Sequence, residues 1–226
     1  MSRLFGSKPG HNALVEINNF LAESTAATEL TEEIVSNFIK NWGAKFDSSN
    51  IEYRSSMYRK VADHVYISAV SKDDPVFEET KHLAQVLELP EKLQRLADNG
   101  AKKVAYFSRC RKIISGEEPL TISEINNVFG YDYEDGYDIR VQVFHDYLNK
   151  KFDEIAEQQR FSPDEETALR EICTKLDIPY EFKPNIQNAL DKYRYLWSAE
   201  NAPLGDIKVL SLIHISEPTR RSYISY

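Results

Sequence analysis

Cysteine and glycine are scarce in this 226-residue chain, which holds two of the first and eight of the second. Two cysteines far apart in sequence, Cys110 and Cys173, argue against a disulfide scaffold. With so little glycine there is no glycine-rich loop to cradle a phosphate and no strained elbow to expose a nucleophilic serine. No apolar run approaches the ~18 residues that span a bilayer, and residues 1–10 lack the apolar core of a secretory signal. The expected location is therefore cytoplasmic. Basic runs are missing too: 28 Lys and Arg stand against 36 Asp and Glu, a net charge of −8. A surface that tracks nucleic-acid phosphates needs clustered Lys and Arg, so the expected partner is a protein and not nucleic acid.

Residues 210–226 stand apart from the rest. They read LSLIHISEPTRRSYISY and resemble the in-frame translation of a transposase-type sequencing-library adapter, with Ile224, Ser225 and Tyr226 resuming the match after a variable index. Such segments are set aside before fold reasoning. Without Glu217, Arg220 and Arg221, residues 1–209 carry 26 basic and 35 acidic side chains. The resemblance implies that the natural protein continues past Val209. The most strand-like run, 207–215, straddles the junction and is given no weight.

What is present is helical periodicity. Apolar residues recur at intervals of three and four nearly throughout, whereas sustained two-residue alternation is missing. Helices are expected over 12–23, from Thr31 to Gly43 with Ile34, Phe38, Ile39 and Trp42 as the apolar stripe, and over 53–70 with Met57, Val61, Val65 and Ala69. Asp74 followed by Pro75 predicts the next helix start, and Asn99-Gly100 predicts a stop between a short helix and another over 101–115. Thr121 with Glu124 and Ser162 with Glu165 have the spacing of capping boxes. A long helix is expected up to about residue 157, and a last one over 184–198. The expected fold is all-α, an array of eight or nine helices, either continuous or built from two duplicated helix-loop-helix modules. The expected organisation is an N-terminal segment with a short helix over 1–28, a first helical module over 29–129, a second over 130–209, and the adapter-like stretch over 210–226.

The duplication is suggested by two stretches 89 residues apart. Leu83, Leu87, Leu89 and Pro90 fall on Ile172, Leu176, Ile178 and Pro179. Each follows a long helix, a polar turn, a proline and paired glutamates, Glu78-Glu79 in one case and Glu165-Glu166 in the other. Each unit would bury one stripe against its neighbours, which explains the apolar positions without any ligand.

That pattern of capped helix, paired glutamates and Leu-x-x-x-Leu-x-Leu/Ile-Pro resembles the tellurite-resistance-B-like helical modules of bacterial proteins, over roughly 57–89 and 143–178. The segment LDKYRYLWSAENAPL, residues 190–204, is similar to one that joins such modules to a pleckstrin-homology-like domain, although Asn201-Ala202-Pro203 departs from the form with glycine. The resemblance implies a downstream domain missing from this chain, and acidic metal positions around an Asp-Gly turn. Here the corresponding turns read Lys72-Asp73-Asp74 and Gln159-Arg160-Phe161, with glycine in neither.

Candidate chemistry is sparse. Oxygen-rich loops suit calcium or magnesium, and Asp132, Glu134, Asp135 and Asp138 cluster between Tyr131 and Asp138. An EF-hand would need acids where Tyr131 and Tyr133 stand, and a glutamate where Gln142 stands. A solvated acidic loop with Asp138 at a helix N-terminus accounts for the same residues. The weak metal candidates are these four together with Asp73 and Asp74. His64 and His82 would be ligands only if their helices brought them together. Cys110, flanked by Arg109 and Arg111, has neighbours that lower a thiol pKa when they lie close. Tyr193, Tyr195 and Trp197 form an aromatic patch more suited to packing than to stacking a ligand. No catalytic constellation and no cofactor site is expected. The expectation is a non-catalytic interaction or regulatory region of a longer bacterial protein, acting through apolar helix faces; the alternative is a cation-binding stress-response module.

Overall fold

The computed structural model describes residues 12–43 and 46–202, and among them it holds nine α-helices and no strand. The expectation of an all-α array is met. The tail 210–226 and the strand-like run at 207–215 lie outside the described residues, as do His11 and His214.

Helix starts follow the local capping chemistry. In α1 (Ala13–Glu23) the Asn12 side chain accepts from the backbone N–H groups of Leu14 and Val15. In α2 (Glu32–Trp42) Thr31 accepts from Ile34, and Gly43 closes the helix at φ +67°, a left-handed conformation that costs glycine nothing. Both predicted capping boxes form, Thr121 with Glu124 opening α6 (Ile122–Phe129) and Ser162 with Glu165 opening α8 (Pro163–Lys175). Each satisfies two otherwise orphaned backbone donors. The start expected at Asp74-Pro75 is shifted: α4 runs Phe77–Val86 with Val76 at its N-cap position and no side-chain cap, because the Asp74 carboxylate accepts from Val70 N at 2.9 Å and Val76 N at 3.1 Å and so builds a turn ahead of the helix.

Three further expectations need correction. The helix α3 runs Ile51–Ser68, starting and ending two residues before the expected span. The stop at Asn99-Gly100 does not occur: α5 is one helix from Glu91 to Ser115. A Cβ on Gly100 would meet only the flexible end of the Arg59 side chain, and the helix runs through this glycine without ending. Trp42 is not a core residue, being 48 % exposed, and the buried side chain of α2 is Val35.

The described chain divides into two compact units between Val143 and Phe144, within α7 (Tyr137–Gln158). In the first, α3 packs along α5 and α4, α1 along α2, and α6 along α5. Its core is aliphatic and aromatic, with Met57, Tyr58, Val65, Leu83, Leu87, Tyr106, Ile125 and Phe129 all buried. In the second, the last turns of α7, α8 and α9 (Pro184–Glu200) gather around Phe161, Leu169, Leu176 and Leu190, and Phe161 N donates to Tyr193 O. Of the expected aromatic patch, Tyr193 lies 6.4 Å from the Phe152 ring, and Tyr193, Tyr195 and Trp197 are all part-buried.

The two stretches 89 residues apart end their helices in the same way. Leu89 N donates to Ala84 O and Ile178 N to Cys173 O, each at 3.0 Å, while Glu88 N reaches Gln85 O and Asp177 N reaches Thr174 O. These are Schellman-type caps, in which a left-handed residue lets the chain reverse onto its own last carbonyls. The left-handed residues are Glu88 and Asp177.

Candidate functional site on the solvent face of helix 5

The inner face of α5 carries Ala97, Ala101, Ala105, Arg109, Cys110 and Ile113, all buried. Small residues at four-residue spacing let α3 come close. The outer face is different: Leu96 is 68 % exposed and Val104 46 %, with Gly100 between them and Phe107 part-buried one turn on. Helical geometry places these positions on one side of the cylinder. The exposed basic residues of the helix are Lys92, Arg95, Lys103, Arg111 and Lys112, against one exposed acid, Glu91. Lys92, Lys103 and Arg111 flank the apolar stripe, and the Arg111 guanidinium lies 4.5 Å from the Phe107 ring centre. A chain of net charge −8 thus carries a cationic helix with aliphatic side chains in solvent.

The first unit also holds three buried arginines that composition did not single out. Arg54 donates to Leu87 O at 2.6 Å, Glu88 O at 3.1 Å and Asp47 O at 2.9 Å, tying the C-terminal cap of α4 to the start of α3. Arg109 donates to the carbonyls of Ala69 and Ile67 and faces Glu118 at 3.6 Å. Arg140, fully buried, donates to Tyr106 Oη at 3.0 Å and to Tyr133 O at 3.1 Å, and the Tyr106 hydroxyl in turn donates to Asn126 Oδ1 at 2.7 Å. A buried guanidinium is tolerated when carbonyls and hydroxyls replace its water. These arginines are structural staples that close turns.

Cys110 does not become a reactive thiolate. Burial pushes its thiol up to about 12, and the nearby cation that opposes this is Arg140, not either sequence neighbour. Arg109 is occupied by the end of α3 and by Glu118, while Arg111 points to Phe107. Cys173 is likewise buried, and its thiol is raised to about 11.

The acidic candidates are engaged locally. Asp132 N donates to Asp135 Oδ2 at 3.0 Å and Asp135 N to Asp132 Oδ1 at 2.9 Å, a reciprocal pair that builds the turn before α7. Glu134 is exposed in that turn, and Asp138 is an exposed acid in the first turn of α7. Asp74 builds the turn before α4, and the backbone hydrogen bonds it accepts from Val70 and Val76 hold the carboxyl below its ordinary range. Asp73 is exposed beside it. Among the described residues no group of three or more His, Cys, Asp or Glu side chains gathers in a way that could hold a metal ion. The histidines do different jobs: His82 Nε2 lies 2.8 Å from Leu30 O, fastening the 3-10 turn Ala27–Glu29 to α4, and His64 is exposed on α3.

Among the described residues no helix is long and apolar enough to cross a membrane. No family model, no curated protein and no solved structure matches this chain.

Proposed function

We propose that the chain is a non-catalytic interaction or regulatory region, and that the solvent face of α5 docks an acidic amphipathic helix of a partner protein. The observation that carries this reading is the pairing of exposed Leu96 and Val104 with the exposed cations Lys92, Lys103 and Arg111 on one helix of an acidic chain. Burying aliphatic side chains of this size contributes roughly 1.5–3 kcal/mol each, and helix-in-groove recognition reads such anchors at helical spacing. The flanking cations would select an acidic partner and raise the association rate, an effect that salt weakens.

A fluorescence anisotropy titration tests it. The probe is a labelled synthetic amphipathic helix with leucines along one face and glutamates flanking them. Saturable binding that weakens with added salt and falls at least ~10-fold in the Leu96→Ser/Val104→Ser double variant supports the reading. Equal affinity for a lysine-flanked version of the peptide, or unchanged affinity in the double variant, contradicts it. Both substitutions lie on solvent-exposed positions, and circular dichroism checks that the helices persist.

A further inference from the structure

The first unit carries two surfaces of opposite charge, each built around large apolar side chains in solvent. One is the outer face of α5, where Leu96 and Val104 stand among Lys92, Lys103 and Arg111. The other is the turn ahead of α7. There Tyr133 is 45 % exposed, and Asp132, Glu134, Asp135 and Asp138 around it are all exposed. Residues 130–139 contain no Lys or Arg, so this surface is acidic throughout.

The aromatic residue of the acidic turn is held from below. The Arg140 guanidinium lies 4.6 Å from the Tyr133 ring centre and donates to Tyr133 O, and Arg140 is itself fully buried. The Tyr137 ring lies 5.8 Å away on another side. A side chain ordered before binding loses less entropy on docking, and tyrosine is one of the residue types that carry interfaces.

This turn does not reach the outer face of its own α5. A Cβ on Gly136 would lie 2.4 Å from Tyr106 Oη, and the Tyr131 ring is 5.4 Å from that of Tyr106. Tyr106 is fully buried, so the turn is fastened to the inner side of the helix. Only another molecule can bring it to Leu96 and Val104.

We propose that the partner docked on the outer face of α5 is a second copy of this chain, presenting its Tyr133 turn and the first turn of α7. The inference rests on reading that face as a docking site. Four carboxylates from one copy meet the cations of the other, which steers the encounter and fixes its register. The Tyr133 ring covers Leu96 and Val104 with its apolar body while its hydroxyl stays at the wet edge. Each copy carries both surfaces, so a two-fold pair makes the contact twice.

Sedimentation velocity of the full chain tests the proposal. At about 50 mM salt the expected result is a monomer–dimer equilibrium with a Kd of roughly 1–100 µM, weakened at least ~5-fold at about 500 mM salt. Lys92→Glu/Lys103→Glu makes both surfaces acidic, and Glu134→Lys/Asp138→Lys makes both basic, so each variant alone should lose at least ~10-fold in self-association. Mixed one to one, the two variants set opposite charges against each other at both contacts and should recover the dimer. Leu96→Ser/Val104→Ser should weaken it as well. The substituted residues are exposed, and circular dichroism checks that the helices persist. A chain that stays monomeric at ~500 µM overturns the proposal, and so does a charge variant that dimerises as well as the parent or a mixture no tighter than its components. The peptide titration above separates this inference from the reading beneath it: a monomeric chain that still binds the glutamate-flanked helix loses only the second copy as partner, and one that does neither loses the docking face too.

Discussion

Glu88 and Asp177 hold the same left-handed backbone conformation, at φ +49° and +53°, 89 residues apart in the chain. Both are exposed, and both stand where glycine would be free of the Cβ clash that a left-handed residue suffers. Relief of that strain in Glu88→Gly or Asp177→Gly should stabilise the protein by about 0.5–1 kcal/mol each, read as a rise in chemical-denaturation midpoint without a change in slope. A loss of stability at either position would mean that the side chain, and not the cap geometry, holds the turn.

Two glycines without positive φ separate rigid from yielding neighbours. A Cβ at Gly136 would sit 2.4 Å from Tyr106 Oη and 2.5 Å from its ring carbon Cζ, and Tyr106 is fixed by Asn126 and Arg140. Gly136→Ala should cost about 1–3 kcal/mol through overpacking. At Gly100 the obstacle is the tip of Arg59, a flexible side chain whose pair with Asp63 is one-third exposed. Gly100→Ala trades that surface pair against the helix propensity of alanine and should change stability by less than ~1 kcal/mol. Equal costs at the two positions, measured by thermal unfolding, would contradict this account of the core.

The starts at Thr31, Thr121 and Ser162 were legible because capping is local chemistry and each residue sits within three of the amides it satisfies, whereas Asp74 engages its carboxylate in a turn and α4 opens at Phe77. The continuity of α5 was not legible. Gly100 lies within a helix whose inner face, Ala97, Ala101 and Ala105, is buried along α3, and local stop signals yield to such tertiary packing. Trp42 misled for the opposite reason, since the 3.6-residue period places it on the stripe but the core ends at Val35. The arginines were the largest omission. Arg54, Arg109 and Arg140 look like solvated charges in a sequence, and only the folded chain shows the carbonyls that surround them. On the candidate site, the cationic character of 91–115 was readable residue by residue, whereas the exposure of Leu96 and Val104 depends on which face α3 covers.

Alkaline pH should destabilise the fold through groups buried in neutral form. Burial raises Cys110, Tyr106 and Tyr180 to about 12 and Cys173 to about 11, against ordinary values of 9.0 for cysteine and 10.0 for tyrosine. The unfolded chain then releases its protons first, so stability is full below pH ~9 and declines as pH rises from there toward ~12. Denaturation midpoints measured from pH 7 to 11 check this. Native thiols should also resist a disulfide reagent at pH 8 and react only on unfolding. Rapid labelling of Cys110 in the folded protein would contradict its burial.

The carboxylates of the loop before α7 serve the turn. Asp132 and Asp135 each accept the other's backbone N–H, so titration with calcium, magnesium, manganese or zinc should give no saturable micromolar binding. Asp132→Ala should cost about 0.5–1.5 kcal/mol through the lost hydrogen bond, with or without divalent cations. Saturable micromolar heat abolished by that substitution would instead establish the cation-binding alternative.

The docking face on α5 is tested most directly by backbone amide NMR of the labelled protein during titration with the acidic amphipathic peptide. The account predicts shift changes concentrated at Lys92, Leu96, Gly100, Lys103, Val104 and Phe107. Changes confined to other helices, or none at saturating peptide, would contradict it.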